Sequence, residues 1–324
     1  MILAIDVGGT KMAAGLVAHD GTVITSRRAA TPQNADAETL WDTLTALIDP
    51  LSARAEGVGV GCGGPMTWPD GEVSPLNMPG WRGFPLRARL SGRFPGLPVR
   101  LHNDAICLAI AEHWQGAGRG SADMLGMVVS TGVGGGLILD GRLINGGTGN
   151  AGHIGHVVVE SDGGPRCGCG GHGCLEAVAR GPALTAWALS QGWTPAPPDA
   201  EDPPADSEGA YQEDRAVTGR ALAADALAGD PVALLAMRRA GRALGIAIAS
   251  ATHLCDLDLV TIGGGLSQAG EPLFGPLEEA LRDHARMGFA RRLKVMPAAL
   301  GQEAGLVGAA ALLLAGGTYW PSCP

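Results

Sequence analysis

Three times along this 324-residue chain an apolar run ends in glycines: Asp6-Val-Gly8-Gly9-Thr10-Lys11, Ser130-Thr131-Gly132-Val133-Gly134-Gly135-Gly136 and Gly263-Gly264-Gly265-Leu266-Ser267. A short apolar run that stops at glycine is a buried strand handing over to a tight turn. The segments between these runs carry helical spacing. Leu40, Leu44, Leu47 and Leu51 recur on one helical face, AICLAIAEHW follows the strand LPVRL, and GRALGIAIASATHLC precedes the strand LDLVTIG. Strands alternating with helices predict an α/β fold. The chain opens as a meander, with ILAIDV, MAAGLVAH and VITSRRAA as strands and a turn at Asp20-Gly21. Asp140-Gly141 predicts a second hairpin turn, and Gly301 to Leu314 an apolar closing helix.

A single core stops growing near about 250–300 residues, so a chain of this length predicts two packed lobes. Hydrophobic residues make up 46% and charged residues 17%, with a net charge of −9. That balance disfavours nucleic acid as a partner, because a phosphate-tracking surface needs excess cations. No basic segment precedes the first apolar run, and Asp6 and Lys11 interrupt it, so neither a signal peptide nor a membrane span is expected. The expected location is cytoplasmic, where thiols stay reduced. Residues 194–214, TPAPPDAEDPPADSEGAYQED, are proline-rich and acidic with little to bury, and read as a solvated loop.

Glycine turns bring backbone N–H groups close to an anion, and a neighbouring hydroxyl and ammonium add donors. In the first turn Gly8, Gly9, Thr10 and Lys11 supply these groups, and Asp6 can hold a metal ion through water. The second turn places Thr131 beside Gly132 and Gly134, and the third offers bare backbone at Gly263, Gly264 and Gly265 on which a flat base can lie. Each turn alone also reads as an ordinary hairpin or strand end. None has the GxxxxGK[ST] spacing of a P-loop.

Two further stretches carry chemistry. Cys167, Cys169 and Cys174 fall within eight residues on glycine hinges, with His172 among them, open to a disulfide, a redox pair or a metal site. Asn103-Asp104 stands where a strand gives way to a helix, as a helix cap or as a pair projecting from a strand end.

Taken together, the three turns resemble the two phosphate motifs and the adenosine motif of the sugar kinase, actin and Hsp70 ATPase superfamily. The run from Val129 through Gly146 to Gly152-His-Ile-Gly155-His156, followed by Cys167-x-Cys169-x4-Cys174-Leu-Glu176, is similar to the signature of the ROK family, whose members include bacterial glucokinases. The resemblance implies a two-lobed actin-like ATPase (ribonuclease H-like) fold with a cleft between the lobes. Residues 1–107 would form the N-terminal lobe, completed by a helix at about 301–316, and residues 108–300 the C-terminal lobe. It implies an ATP-dependent hexose 6-phosphotransferase using ATP with Mg2+. Asp104 would be the catalytic base, with sugar contacts from Gly63, Gly64, Asn77, Asn103, His153, His156 and Glu176. His156, Cys167, Cys169 and Cys174 would hold a structural Zn2+, with His172 facing solvent. Trp81 reads equally as packing.

The chain departs from the family pattern twice: His153 and His102 stand where a glutamate is usual. An imidazole at 153 donates as well as accepts, which opens the substrate to mannose, N-acetylglucosamine or N-acetylmannosamine besides glucose. Some ROK proteins are sugar-responsive repressors with a helix-turn-helix domain ahead of the first phosphate motif; here that motif stands at residue 6 and the expectation is an enzyme. Relatives form homodimers or homotetramers, and the same is expected here.

Overall fold

The computed structural model describes residues 1–196 and 217–319, so the expected loop at 194–214 lies outside the described residues from 197 on. The chain divides into two compact units: Met1–Gly126 with Gly135–Gly152 and Ala298–Pro324, and Met127–Gly134 with His153–Pro297.

The first unit is built on β1 (Ile2–Val7), β2 (Lys11–Val17) and β3 (Val23–Ala30), the expected meander, followed by α1 (Ala37–Ile48) and β4 (Val58–Cys62). Asp36 caps α1 by accepting the Thr39 N–H at 2.8 Å, and Pro50 turns the chain into a 3-10 stretch at Asp49–Arg54, so the α-helix stops earlier than its leucine spacing suggests. A two-stranded hairpin, β5 (Met66–Thr67) and β6 (Glu72–Val73), and α2 (Leu86–Arg93) come next, then β7 (Val99–Asn103) and α3 (Asp104–Gln115). The five-stranded sheet runs β3-β2-β1-β4-β7, antiparallel across the meander and parallel from β1 through β4 to β7.

Strand alternation divides the core. Leu3, Ile5 and Val7 of β1 pack with Leu40, Leu44 and Trp81 on one face, while Ile2 and Ala4 pack with the closing helix on the other. Trp81 is fully buried, stacked on Phe84 at 4.5 Å, and its Nε1 donates to the Ala37 carbonyl. It is a packing residue.

The strands β8 (Met124–Val129), β9 (Val133–Leu139) and β10 (Arg142–Leu143) come next, followed by α4 (Leu175–Ala179), α5 (Gly181–Ser190), α6 (Gly219–Leu227) and α7 (Pro231–Cys255). β11 (Leu259–Gly263), α8 (Glu271–His284) and β12 (Lys294–Pro297) complete the second unit, and α9 (Ala304–Leu314) with α10 (Gly316–Tyr319) returns to the first. The second sheet runs β10-β9-β8-β11-β12, the same order of meander plus two added strands as the first. Asp140 and Gly141 make the expected turn between β9 and β10, both at positive φ (50° and 68°), as a two-residue primed turn requires.

α9 is apolar on every side and buried along most of its length. It packs against α3 so closely that a Cβ at Gly308 would collide with the Cys107 carbonyl. Contact with α9 holds all of α3 in the first unit, so by contact the first division falls at residue 126. In the second unit α7 starts at Asp230, which accepts the Ala233 N–H at 2.7 Å, with Pro231 in the first turn, and ends on Asp256 in the left-handed conformation.

Candidate active site and metal centre

In the first unit, parallel pairing lines up three strand ends. Asp6 of β1 stands beside Gly61 of β4, and Gly61 and Cys62 stand beside His102 and Asn103 of β7. Asp6, the Gly63-Gly64 loop and Asn103-Asp104 therefore leave the sheet in one row, at the carboxyl ends where α/β sheets bind ligands. The first glycine turn follows Asp6. Its carbonyls are engaged by the segment after β3: Thr31 Oγ1 donates to Gly8, Gln33 Nε2 to Gly9, and the Thr31 N–H to Thr10. Asn77, from a loop 68 residues on, lies over Gly9, where a Cβ would come 2.5 Å from its Nδ2. The loop after β10 braces the same row, since Asn150 accepts the Met66 N–H at 3.2 Å and donates to the Met66 carbonyl at 2.8 Å.

Asn103 is the N-cap of α3, its Oδ1 accepting the Ala105 N–H at 3.0 Å. Asp104 Oδ1 accepts the same N–H at 2.8 Å, while Oδ2 points toward Gly63, 4.0 Å from where a Cβ would stand there. Capping and projection thus coexist in one dipeptide. Asn103 is buried and Asp104 half-buried.

His102 holds this dipeptide from behind. Its ring is fully buried; Nδ1 accepts the Asn103 N–H at 2.9 Å, which leaves the proton on Nε2, 2.9 Å from Asn145 Oδ1. Burial lowers its pKa from 6.5 to about 4, against the opposing pull of the Asn145 hydrogen bond, so it is a neutral imidazole at physiological pH. Asp6 moves the other way: burial raises its carboxyl above the ordinary range, opposed by Lys11 and Arg28. Its carboxylate fills the space that a side chain at Gly305, in the first turn of α9, would occupy. Burial, followed by the charges of Asp104 and Asp6, also raises the Cys62 thiol, in keeping with an inert core cysteine.

The second and third glycine turns meet inside the second unit. Gly264, at φ 93°, approaches the end of β8 so closely that a Cβ would strike the Val129 carbonyl, and the Ser267 hydroxyl donates to the Gly264 carbonyl at 2.8 Å. Gly265 has open space where a Cβ would point, and Gly263 ends β11. The second turn is fixed by the Ser130 N–H donating to the Gly132 carbonyl and by Glu176 Oε2, which accepts the Val133 N–H at 2.9 Å. Glu176 is therefore tied to the turn that holds Thr131, Gly132 and Gly134.

The cysteine loop gathers the four expected ligands. One ligand atom from each of His156, Cys167, Cys169 and Cys174 lies within 4.8 Å of all the others. Cys167 Sγ is 3.6 Å from His156 Nδ1, and Cys169 Sγ is 3.8 Å from Cys174 Sγ. A tetrahedron with metal–sulfur bonds of about 2.3 Å has edges of about 3.8 Å, so the set fits zinc. Burial pushes the Cys174 thiol up to about 12, so a bound cation would offset the cost of ionising it there. His172 is exposed. Behind the loop, Arg239 of α7 grips both oxygens of Glu160 at 2.9 and 3.0 Å and lies 5.2 Å over Trp187. His153 and His156 lie with ring centroids 6.1 Å apart, and with His156 Nδ1 turned to the thiols its Nε2 is the nitrogen left for a ligand.

Sequence patterns did not single out Thr31, Gln33, Asn145 or Asn150. The only signal was the asparagine-glycine run NGGTGN at 145–150, whose partners lie 43 and 84 residues away.

The ROK family model matches residues 2–315. Glucokinase of Thermotoga maritima is 35% identical over 316 residues, covering 96% of each chain. N-acetylmannosamine kinase of Shigella flexneri is 36% identical over 314 residues, covering 96% of this chain and 97% of that protein. Among solved structures, a ROK family glucokinase from Streptomyces griseus in complex with glucose and AMPPNP superposes with a TM-score of 0.79 at 33% identity, over 96% of this chain and 98% of that one. A ROK family transcriptional regulator, a homolog of the E. coli MLC protein, gives 0.79 at 25% identity over 98% of this chain and 78% of that one.

Proposed function

The chain belongs to the ROK family and has its actin-like ATPase type of α/β fold, and from that premise we propose that it is an ATP-dependent hexose kinase acting on the 6-hydroxyl, with Asp104 as the base. The observation that carries this reading is the row of strand ends, in which a half-buried carboxylate on a buried cap stands beside Gly63 and in line with Asp6.

Asp104 lacks the basicity to deprotonate a resting alcohol, since an ordinary aspartate titrates near 3.9. Phosphoryl transfer does not demand it. In a loose transition state the nucleophile's proton is lost late, so Asp104 has to orient the hydroxyl and accept the proton as the sugar O6–P bond forms and the bond from phosphorus to the ADP oxygen breaks. His102 contributes by position: its hydrogen bond to the Asn103 N–H fixes the peptide that aims Asp104. Asn103, Asn77, the Gly63-Gly64 loop, His153, His156 through Nε2, and Glu176 are the proposed sugar contacts. Gly8 to Lys11, Thr131, Gly132 and Gly134 are the proposed phosphate contacts, and Gly263 to Gly265 the adenosine platform.

Asp6 is the residue that would hold Mg2+ through water, and the ion would supply positive charge to the phosphates. Zinc on His156 and the three cysteines would be architectural, keeping His153, His156 and Glu176 in place while the residues named above act. The sugar is glucose or a close relative. An imidazole at 153 and relatives named for two different sugars, at 35% and 36% identity, keep mannose, N-acetylglucosamine and N-acetylmannosamine in the panel.

A coupled ADP-release assay over those four sugars with ATP tests the reading. Turnover is expected on at least one, falling about 10²- to 10⁴-fold in Asp104→Ala with the melting temperature retained. Sugar binding without turnover in the native protein would make it a sensor and sink the kinase reading.

A further inference from the structure

Far from Asp104 in sequence, the second unit carries a cavity of about 640 Å³ between the last turn of α8, the 3-10 turn at Phe289–Arg292 and the start of β12. Its rim bears Arg282, Arg286, Arg291 and Lys294 against a single carboxylate, Glu278. A local excess of three positive charges stands out on a chain whose net charge is −9.

Ordinary structural roles account for only part of it. Arg282 pairs with Glu278 one turn back at 3.7 Å and sits at the helix C-terminus, where a cation is favoured. Arg292, next along the chain, shows what a structural arginine looks like here, gripping Asp256 at 3.0 Å and Asp258 at 2.7 Å. Arg286, Arg291 and Lys294 come from three segments beyond the helix, and among the described residues none of them forms an ion pair. Holding three exposed cations around one concavity costs repulsion, which an anion would relieve. The floor is different in kind: Ala285 and Ala290 are buried, and Leu281 and Leu293 half-buried. An apolar floor under a basic rim suits a ligand with a flat or apolar body and a phosphoryl group, and the volume is within the range of small-molecule sites.

We propose that this cavity is a second ligand site, taking a phosphorylated small molecule whose phosphoryl group is held by Arg286, Arg291 and Lys294. The guanidinium forks suit phosphoryl oxygens in pairs, and Lys294 adds a mobile point charge. The inference does not depend on which sugar the protein phosphorylates, or on its being a kinase.

Titration calorimetry on the full chain at low salt, with excess AMPPNP present, tests it with two probes run separately, glucose 6-phosphate and ADP. Binding of at least one probe is expected, weakening as salt rises. In the double variant Arg286→Glu, Arg291→Glu that binding should weaken about tenfold or more, since each charged hydrogen bond removed is worth roughly a factor of ten. Both side chains are exposed, so the variant should keep the native melting temperature and, without added probe, the native rate in the hexose assay. Arg286→Ala, Arg291→Ala gives a second reading if charge reversal disturbs folding. Absence of binding by both probes overturns the proposal, and so does binding that neither double variant weakens.

Discussion

The strand-end row of the first unit and the cysteine loop of the second each bring together several candidate functional side chains, and they do it by opposite means. Around Asn103-Asp104 the chain is packed: His102, Cys62, Ile106 and Cys107 are fully buried, and the polar groups pair with near neighbours and, through His102, with Asn145, 43 residues on. Around His156 and the three thiols the sequence is glycine at six of the twelve positions from 163 to 174, and Cys167 and Cys174 are the buried side chains there. One site is preorganised by a core, and the other would be by metal cross-links. A segment with little apolar surface cannot offset its ordering entropy by burial, and bonds from the four candidate ligands to a metal would do that instead.

Removing the cross-link should therefore have the largest effect. Native protein is expected to carry one zinc equivalent by elemental analysis, and Cys174→Ser to lose it and to expose residues 157–174 to rapid hydrogen exchange while the first sheet stays protected. A loop that remains protected without metal would mean that packing and the Arg239–Glu160 pair suffice.

The packed site should be most sensitive to charge. His102 has a folded pKa of about 4 against 6.5 unfolded, so the unfolded chain binds the extra proton first as pH falls. Its contribution to stability is complete above about 6.5 and is lost as pH drops toward about 4, amounting to about 3 kcal/mol over that window. Denaturant melts across this range should show the slope in the native protein and a flatter profile in His102→Gln. If His102 positions Asp104, the same variant lowers kcat several-fold with KM nearly unchanged.

Gly308→Ala probes the packing itself. The new methyl would run into the Cys107 carbonyl, and overpacking at such a site costs about 1–3 kcal/mol, read as a lower denaturation midpoint at unchanged m-value.

Asp6→Asn should have the smallest effect on stability and the opposite sign. Because burial raises the Asp6 carboxyl, the folded state holds that proton longer, and stability declines as pH rises through the folded pKa. The amide removes the penalty, so the variant should be as stable as the native protein or slightly more stable near neutral pH, while turnover falls if Asp6 holds the magnesium. A destabilised variant would show that the carboxylate serves structure.

Much of this was readable along the chain. The hairpin at Asp140-Gly141 was legible because a two-residue primed turn tolerates few residue pairs, whereas the cysteine spacing left a disulfide, a redox pair and a metal site open and the four candidate ligands came from the family resemblance. The leucine spacing from Leu40 to Leu51 overstates the length of α1, since Pro50 converts its end to 3-10. Asn145 was not legible, because nothing local links it to a histidine 43 residues earlier. Glu112, at 0% exposure on α3, was missed for the same reason: its carboxylate accepts the N–H groups of Ala299 and Leu300, 187 and 188 residues on, ahead of α9.

By itself the amino-acid order determined the turns and the strand-to-helix junction that carries Asn103-Asp104, because each depends on sterics within a few residues. The tertiary structure alone decided that β1, β4 and β7 end side by side, that His102 is neutral with its proton on Nε2, and that Asp6 is half-buried against the start of α9. Those outcomes depend on register and burial, which are properties of partners far apart in the chain.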